Sequence, residues 1–307
     1  MKKDLLSVLD LNPEELKKIF ELAKVLKDET KLKKKVREDL KGKTLALLFE
    51  KPSTRTRVSF EVAMYLLGGN SLYLSANELQ LSRGETIGDT AKVLSRYVDA
   101  IAARVFSHDS LVELAKNSSI PVINALSNLE HPCQAISDMF TIQEIKGKTT
   151  GLKIAYVGDG NNVANSLMLA GSMLGMEVAL CTPVGYEPNK ELLKKALEIA
   201  DNQGGKLLIL HDPLEAVREA DVIYTDVWVS MGFEREREER RRIFSNYQVN
   251  SYLLGKAKED AIFMHCLPAH RNEEVTDDVI DGPHSVVFQQ SENKLYVQEA
   301  ILKLLIP

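Results

Sequence analysis

Cysteine is scarce: Cys133, Cys181 and Cys266 are the only three in 307 residues. They are too few and too far apart for a disulfide framework or a cysteine-rich zinc site, so any role they have is individual. No apolar run reaches the ~18 residues that a membrane span needs. The start, Met1-Lys2-Lys3-Asp4, lacks the apolar core of a signal peptide. These absences point to the cytoplasm and to no membrane partner. Positive charge is not in excess either. A net charge of −5 argues against nucleic acid as a partner, while leaving room for a locally positive anion pocket. The lysine-rich stretch 31–43 carries Leu32, Val36 and Leu40 at helical spacing and reads as a solvated helix end and linker.

What the chain has is length for two domains of roughly 150 residues. Asn12 offers an N-cap, Pro13 a first helical position and Glu15 a capping-box acid. They precede a stripe of Leu16, Ile19, Phe20, Ala23 and Leu26. Apolar runs at 44–49, 71–74, 100–105 and 122–124 then alternate with helical patterns, as in a parallel sheet. The alternation restarts after the glycine-bearing stretch 147–151, with strands expected at 153–157, 177–180, 207–210, 222–225 and 261–264. The fold class expected is α/β: two similar domains, each a parallel sheet flanked by helices, over 1–147 and 148–290. Residues 291–307 form a C-terminal segment whose helix, 295–305, shows Leu295, Ala300, Ile301, Leu304 and Leu305. That stripe suits either domain; packing on the first is the expectation taken.

Residues 233–242 depart from this plan, with four glutamates, five arginines and only Phe233 apolar. Such a run reads as a solvated loop or frayed helix, although its place after Ser230-Met231-Gly232 leaves a lid role open.

The densest chemistry is Ser53-Thr54-Arg55-Thr56-Arg57, where a strand gives way to a helix whose buried stripe is Phe60, Met64 and Leu67. Helix N-terminal N–H groups, three hydroxyls and a guanidinium would converge there, as a phosphate dianion requires. Ser53 alone would be an ordinary N-cap, and the string has no Walker glycines. Elsewhere, Gly158-Asp159-Gly160-Asn161-Asn162-Val163 looks at first like a dinucleotide turn. Its third glycine is replaced by Val163, however, and no acid ends the next strand, which runs into Cys181-Thr182-Pro183.

Taken whole, Ser-Thr-Arg-Thr-Arg behind the strand end Phe49-x-x-Pro52 resembles the carbamoyl phosphate signature of the aspartate and ornithine carbamoyltransferases. His131-Pro132-Cys133-Gln134 is similar to the family's His-Pro-x-Gln motif, whose imidazole and amide hold the carbamoyl group. Arg104 matches the arginine that supports the same oxygen. Asn162 resembles the asparagine that binds the amino acid's carboxylate. Asp226-Val227-Trp228-Val229-Ser230-Met231-Gly232 and His265-Cys266-Leu267-Pro268 resemble the ornithine branch. Charge agrees with that branch: an α-ammonium suits Asp226, whereas aspartate would need further cations, and only Arg271 lies near. Gln80 matches a loop that reaches into a neighbouring subunit's site. Where relatives commonly carry arginine near the start of the last helix, this chain has Lys294, which keeps the charge and gives up the bidentate fork.

The resemblance spans essentially the whole chain. It implies transfer of the carbamoyl group of carbamoyl phosphate to the δ-amine of L-ornithine, giving L-citrulline and phosphate, with no cofactor and no metal. Carbamoyl phosphate would be held by Ser53, Thr54, Arg55, Thr56, Arg104, His131, Gln134, Cys266, Leu267 and Lys294, with Gln80 from a neighbour. Ornithine would be held by Asn162, Asp226, Ser230 and Met231. Catalysis would fall to Arg55, Arg104, His131, Gln134, Asp226 and Cys266, in a cyclic trimer or a multiple of one. Two other readings stand beside this: a carbamoyltransferase for putrescine or an acetylated ornithine, and a nucleotide-binding regulatory protein using the Gly158 turn.

Overall fold

In the computed structural model, residues 4–33, 36–230, 232 and 234–307 are described. The first three residues, Lys34 and Lys35 of the basic stretch, Met231 and Phe233 lie outside them. The chain divides into two compact units, Met1–Ser137 with Glu292–Pro307, and Asp138–Ser291. Among the described residues no helix is long and apolar enough to cross a membrane.

The first unit opens with α1 (Pro13–Lys33). Its start is a reciprocal capping box: Glu15 N–H donates to Asn12 Oδ1, and Asn12 N–H to Glu15 Oε2, both at 3.0 Å. Leu16, Ile19, Phe20, Ala23 and Leu26 are all buried, as the stripe required. Then follow β1 (Thr44–Phe49), α2 (Thr54–Leu66), β2 (Asn70–Ser75), α3 (Ile87–Tyr97), β3 (Ala100–Arg104), α4 (His108–Asn117), β4 (Val122–Leu126) and α5 (Pro132–Lys146). The sheet is parallel throughout, in the order β2-β1-β3-β4. Strands β3 and β4 are buried along their whole length, whereas no residue of the edge strand β2 is fully buried, which is why its apolar run is weaker. From β1 the chain passes to β2 on one side and then crosses to β3 on the other. The carboxyl ends of β1 and β3 therefore flank a topological switch point, where open α/β sheets bind ligands.

The second unit contains β5 (Lys153–Val157), α6 (Asn162–Met173), β6 (Glu177–Cys181), α7 (Lys190–Gln203), β7 (Lys206–Leu210), α8 (Pro213–Val217) and β8 (Val222–Thr225). After them come α9 (Arg237–Phe244), α10 (Ser251–Leu254), β9 (Ile262–His265), α11 (Asp277–Ile280) and α12 (Val287–Leu305). Its parallel sheet runs β7-β6-β5-β8-β9, so the switch point lies between β5 and β8.

The two compact units part at Ser137, inside α5. The second half of α5 is tied into the later unit by Asp138, which accepts from Tyr224 Oη at 3.0 Å and Gln290 Nε2 at 2.7 Å, and by Glu144, which accepts from Gln289 at 2.8 Å. Gly147 and Gly151, both at positive φ, only turn the chain from α5 into β5. The last helix begins at Val287, well before the expected 295, and from Glu292 onward it belongs to the first unit. Its opening turns hid in the sequence because Gln290, Asn293 and Lys294 are buried polar residues, which break the apolar period.

Of the charged run, Arg237–Phe244 is helical and residues 235–239 and 242 are exposed, as a solvated run would be; Arg240 departs from that expectation, being only 6% exposed.

Candidate active site

Candidate side chains gather at each switch point. In the first unit the chain leaves β1 and enters α2 at Ser53, whose Oγ accepts from Thr56 N–H at 3.3 Å. Helix geometry turns the N–H groups of that first turn outward at the positive end of the dipole. Thr54 is exposed, Arg55 half-buried and Thr56 buried. Arg57 leaves the group: its guanidinium lies 3.8 Å over the Tyr73 ring and its Nε donates to Glu61 at 2.9 Å.

Lys294, 5% exposed, is the hub. Its ammonium donates to Gln134 Oε1 at 3.0 Å and Thr56 Oγ1 at 3.3 Å, and lies 3.5 Å from His131 Nε2. An ammonium only donates, so Nε2 is the acceptor and the ring proton belongs on Nδ1. Three elements, α2, α5 and α12, thus converge on one cation, and Arg104 adds a second buried charge from the end of β3. Burial, then Lys294, then Arg104 hold the His131 imidazole well below its usual range, so the ring stays neutral. Neighbouring Cys133 is sealed: burial pushes its thiol up to about 12, which removes it as a nucleophile. Gln80 stands exposed on the 3-10 turn Gln80–Arg83 and is not among the side chains around Lys294.

In the second unit the helix cap is Asn161. Its Oδ1 accepts from Val163 N–H at 2.9 Å and Ala164 N–H at 3.1 Å. That orientation aims its Nδ2 at Asp226 Oδ2, 2.8 Å away, and toward Ser230 Oγ at 3.4 Å. Asp226, 6% exposed, also accepts the Cys266 thiol at 3.0 Å. Side chains following β5, β8 and β9 are thereby joined around one carboxylate. Asn162, half-buried, is the first residue of α6; Met231 lies outside the described residues. Leu267 takes a left-handed φ of 57° before Pro268 and donates its N–H to His265 Nδ1 at 2.9 Å. His265 Nε2 faces Glu274 at 3.2 Å, so both ring nitrogens are engaged. Ligand-type atoms of Asp226, His265 and Cys266 do lie within 4.8 Å of one another. Of the three, Cys266 and Asp226 are bonded to each other, whereas the two ring nitrogens of His265 are engaged by Leu267 N–H and Glu274. Arg271 is taken up by Asp277 and Asp281, at 2.7 and 2.5 Å, and adds no charge to this group.

The Gly158 turn also shows why it imitates a nucleotide motif. A Cβ at Gly160 would lie 2.5 Å from backbone atoms of residues 186–188, and Gly160 N–H donates to Tyr186 O at 2.9 Å. This glycine serves close packing of protein backbone, not the approach of a pyrophosphate. Sequence reasoning passed over Asn161 and the buried pair Arg240–Asp159. For Asn161 the signal was present, since Asn before a helix is a cap; for Arg240 there was none.

Residues 3–144 match the carbamoyl-P binding domain of the aspartate/ornithine carbamoyltransferases, and residues 150–305 match their Asp/Orn binding domain. The ornithine carbamoyltransferase of Pyrococcus abyssi is 60% identical over 304 residues, covering 99% of this chain and 96% of that protein. A solved ornithine carbamoyltransferase structure from Pyrococcus furiosus superposes with a TM-score of 0.96 at 59% identity, covering 99% of this chain and 96% of its own. One from Thermus thermophilus gives 0.90 at 44%, covering 100% of both. With both domain types matched in order along nearly its whole length, the chain belongs to the aspartate/ornithine carbamoyltransferase family.

Proposed function

We propose that the chain transfers the carbamoyl group of carbamoyl phosphate to the δ-amine of L-ornithine, yielding L-citrulline and phosphate, as a cytoplasmic step of arginine biosynthesis. The observation that carries the choice of amine is the acidic set of the second unit. Asp226 is held by Asn161 and Cys266, with Ser230 alongside and, among the described residues, no lysine or arginine bonded to it. Such a set pairs with an α-ammonium and repels the second carboxylate of aspartate. Asn162 and Met231 are assigned to ornithine on the resemblance.

In this reading the first turn of α2, with Ser53, Thr54, Arg55 and Thr56, takes the phosphate. Lys294 and Arg104 supply fixed positive charge. Neutral His131 and the Gln134 amide hold the carbamoyl group, where the carbonyl oxygen gains charge as the amine adds. Cys266 and Leu267 are assigned to the carbamoyl end. The δ-ammonium sheds a proton, since only the free amine has a lone pair, and the bonded pair Asp226 and Cys266 is the acceptor proposed. The nitrogen–carbon bond then forms, the carbon–oxygen bond to phosphate breaks, and phosphate leaves. Orientation and preorganised charge supply the rate.

Assembly as a trimer, or a multiple of one, belongs to the same proposal. Val58, Val62 and Tyr65 on one side of α2 and Leu72 of the edge strand β2 expose apolar surface that a second copy would cover, and Gln80 is exposed to meet it. The test is a colorimetric citrulline assay with ornithine, N-acetylornithine, putrescine and aspartate side by side. Ornithine is expected to be carbamoylated with the highest kcat/KM; preference for any of the others overturns the reading.

A further inference from the structure

One arginine of the charged run does not behave as a surface group. Arg235, Arg237 and Arg242 are exposed, but the Arg240 guanidinium is buried and shared among several elements. One of its Nη atoms donates to Asp159 Oδ2 at 2.9 Å and to the Trp228 carbonyl at 3.0 Å. Its Nε donates to Glu236 at 2.8 Å, and the group lies 5.0 Å over the Tyr186 ring. Asp159 stands two residues before the cap Asn161, and Trp228 sits between Asp226 and Ser230. Tyr186 belongs to the segment that packs on Gly160. We propose that Arg240 is a positioning residue for the amino-acid substrate: it pins the turn after β5 to the loop after β8, so that Asn161, Asp226 and Ser230 keep the spacing that receives ornithine.

The proposal rests on the ornithine reading of that set. One Nη of the guanidinium bonds carboxylate and carbonyl while its Nε bonds Glu236, so the planar group reaches partners on two sides, whereas a lysine would have to make all three bonds from one nitrogen. Without it, the loop 226–230 loses the bond that fixes Trp228, and the Asp159 carboxylate is left in a largely buried place without its cation. Asp159, Trp228, Tyr186 and Glu236 all belong to the second unit.

The test measures both Michaelis constants, kcat and Tm for Arg240→Gln, Arg240→Lys and Asp159→Asn. In Arg240→Gln and Asp159→Asn the ornithine KM should rise on the order of tenfold, with the carbamoyl phosphate KM within about twofold of wild type. Arg240→Lys should fall between wild type and Arg240→Gln. A purely structural role would lower Tm and the active fraction while leaving both constants unmoved, and that result overturns the proposal. If Arg240→Gln does not fold, Asp159→Asn keeps the side-chain volume and decides by the same measurement. Wild-type protein without ornithine-dependent turnover would overturn the functional reading as well, whereas wild-type turnover with unchanged variant KM sinks the positioning role alone.

Discussion

In the first unit the turn after β1 is capped by Ser53 and opens toward Arg104 across the switch point. In the second the turn after β5 is capped by Asn161 and opens toward Asp226. Both places follow from the same topology: a strand whose successor lies on one side and whose other neighbour comes later in the chain. What differs is the charge brought in from neighbouring elements. Arg104 and Lys294 make the first place cationic, while Asp226, whose charge helps push up the Asp159 carboxyl, makes the second acidic. The architecture thus fixes where a ligand binds, and a few side chains decide its sign. A net charge of −5 conceals the contrast, because it averages a positive cluster with a negative one.

The strongest way to break this comparison is a crossed pair of variants. Arg55→Ala should lower turnover by about two orders of magnitude or more, because a phosphate loses a charge-assisted partner worth ~2–3 kcal/mol. Calorimetry should find that inorganic phosphate no longer binds. Asp226→Asn should raise the ornithine KM by roughly ten- to a hundredfold while phosphate binds as before. Loss of phosphate binding in folded Asp226→Asn would mean that the two places do not act as separate charge-selective sites.

Sequence revealed these places unevenly, and the physical reasons are specific. Strands 153–157 and 222–225 were legible to the residue, because a strand buried on both faces is a continuous apolar run. The α1 cap was legible because its partners are three residues apart. The start of α12 was not, since Asn293 and Lys294 are satisfied by Lys27 and by Thr56 and Gln134, partners hundreds of positions away. Arg240 was misjudged for the same reason, with Asp159 81 positions distant. The Asn161 amide that bonds Asp226 reaches it across 65 positions, and no spacing in the sequence marks that pairing. Local chemistry announces caps and strands; long-range polar pairing leaves no periodic trace.

A smaller effect sharpens the cationic side. Lys294→Met should weaken carbamoyl phosphate binding by about tenfold, and Lys294→Arg should restore most of it, since charge rather than geometry is the larger contribution. The same substitution has a spectroscopic signature. Lys294 is the second cause, after burial, that depresses the His131 pKa, so its removal should move that pKa upward while burial still holds it below the ordinary value. Histidine resonances followed by NMR titration would show this. An unmoved His131 together with unchanged Michaelis constants would place Lys294 outside the working site.

The smallest effect is a pH dependence confined to the acidic side. Burial pushes the Asp159 carboxyl up to about 6, with Arg240 pulling it down and Asp226 and Glu236 pushing it up. Above that pH it is charged and holds Arg240; below it, the pair weakens and the ornithine KM should rise a few-fold. Ornithine's own δ-ammonium titrates far higher, near an amine's ~10.4, so between pH 5 and 7 it contributes only a steady slope of log kcat/KM. Dividing the wild-type profile by that of Asp159→Asn removes this common slope. The ratio should bend near pH 6. Unfolding would not imitate the bend through this group. A carboxyl whose folded pKa is raised above its unfolded value adds stability that is present at low pH and lost as pH rises through about 6. Protonating Asp159 therefore does not melt the unit, and Tm should not fall on its account where the KM climbs. A flat ratio from pH 5 to 7 would show that the Asp159–Arg240 charge pair has no part in holding ornithine.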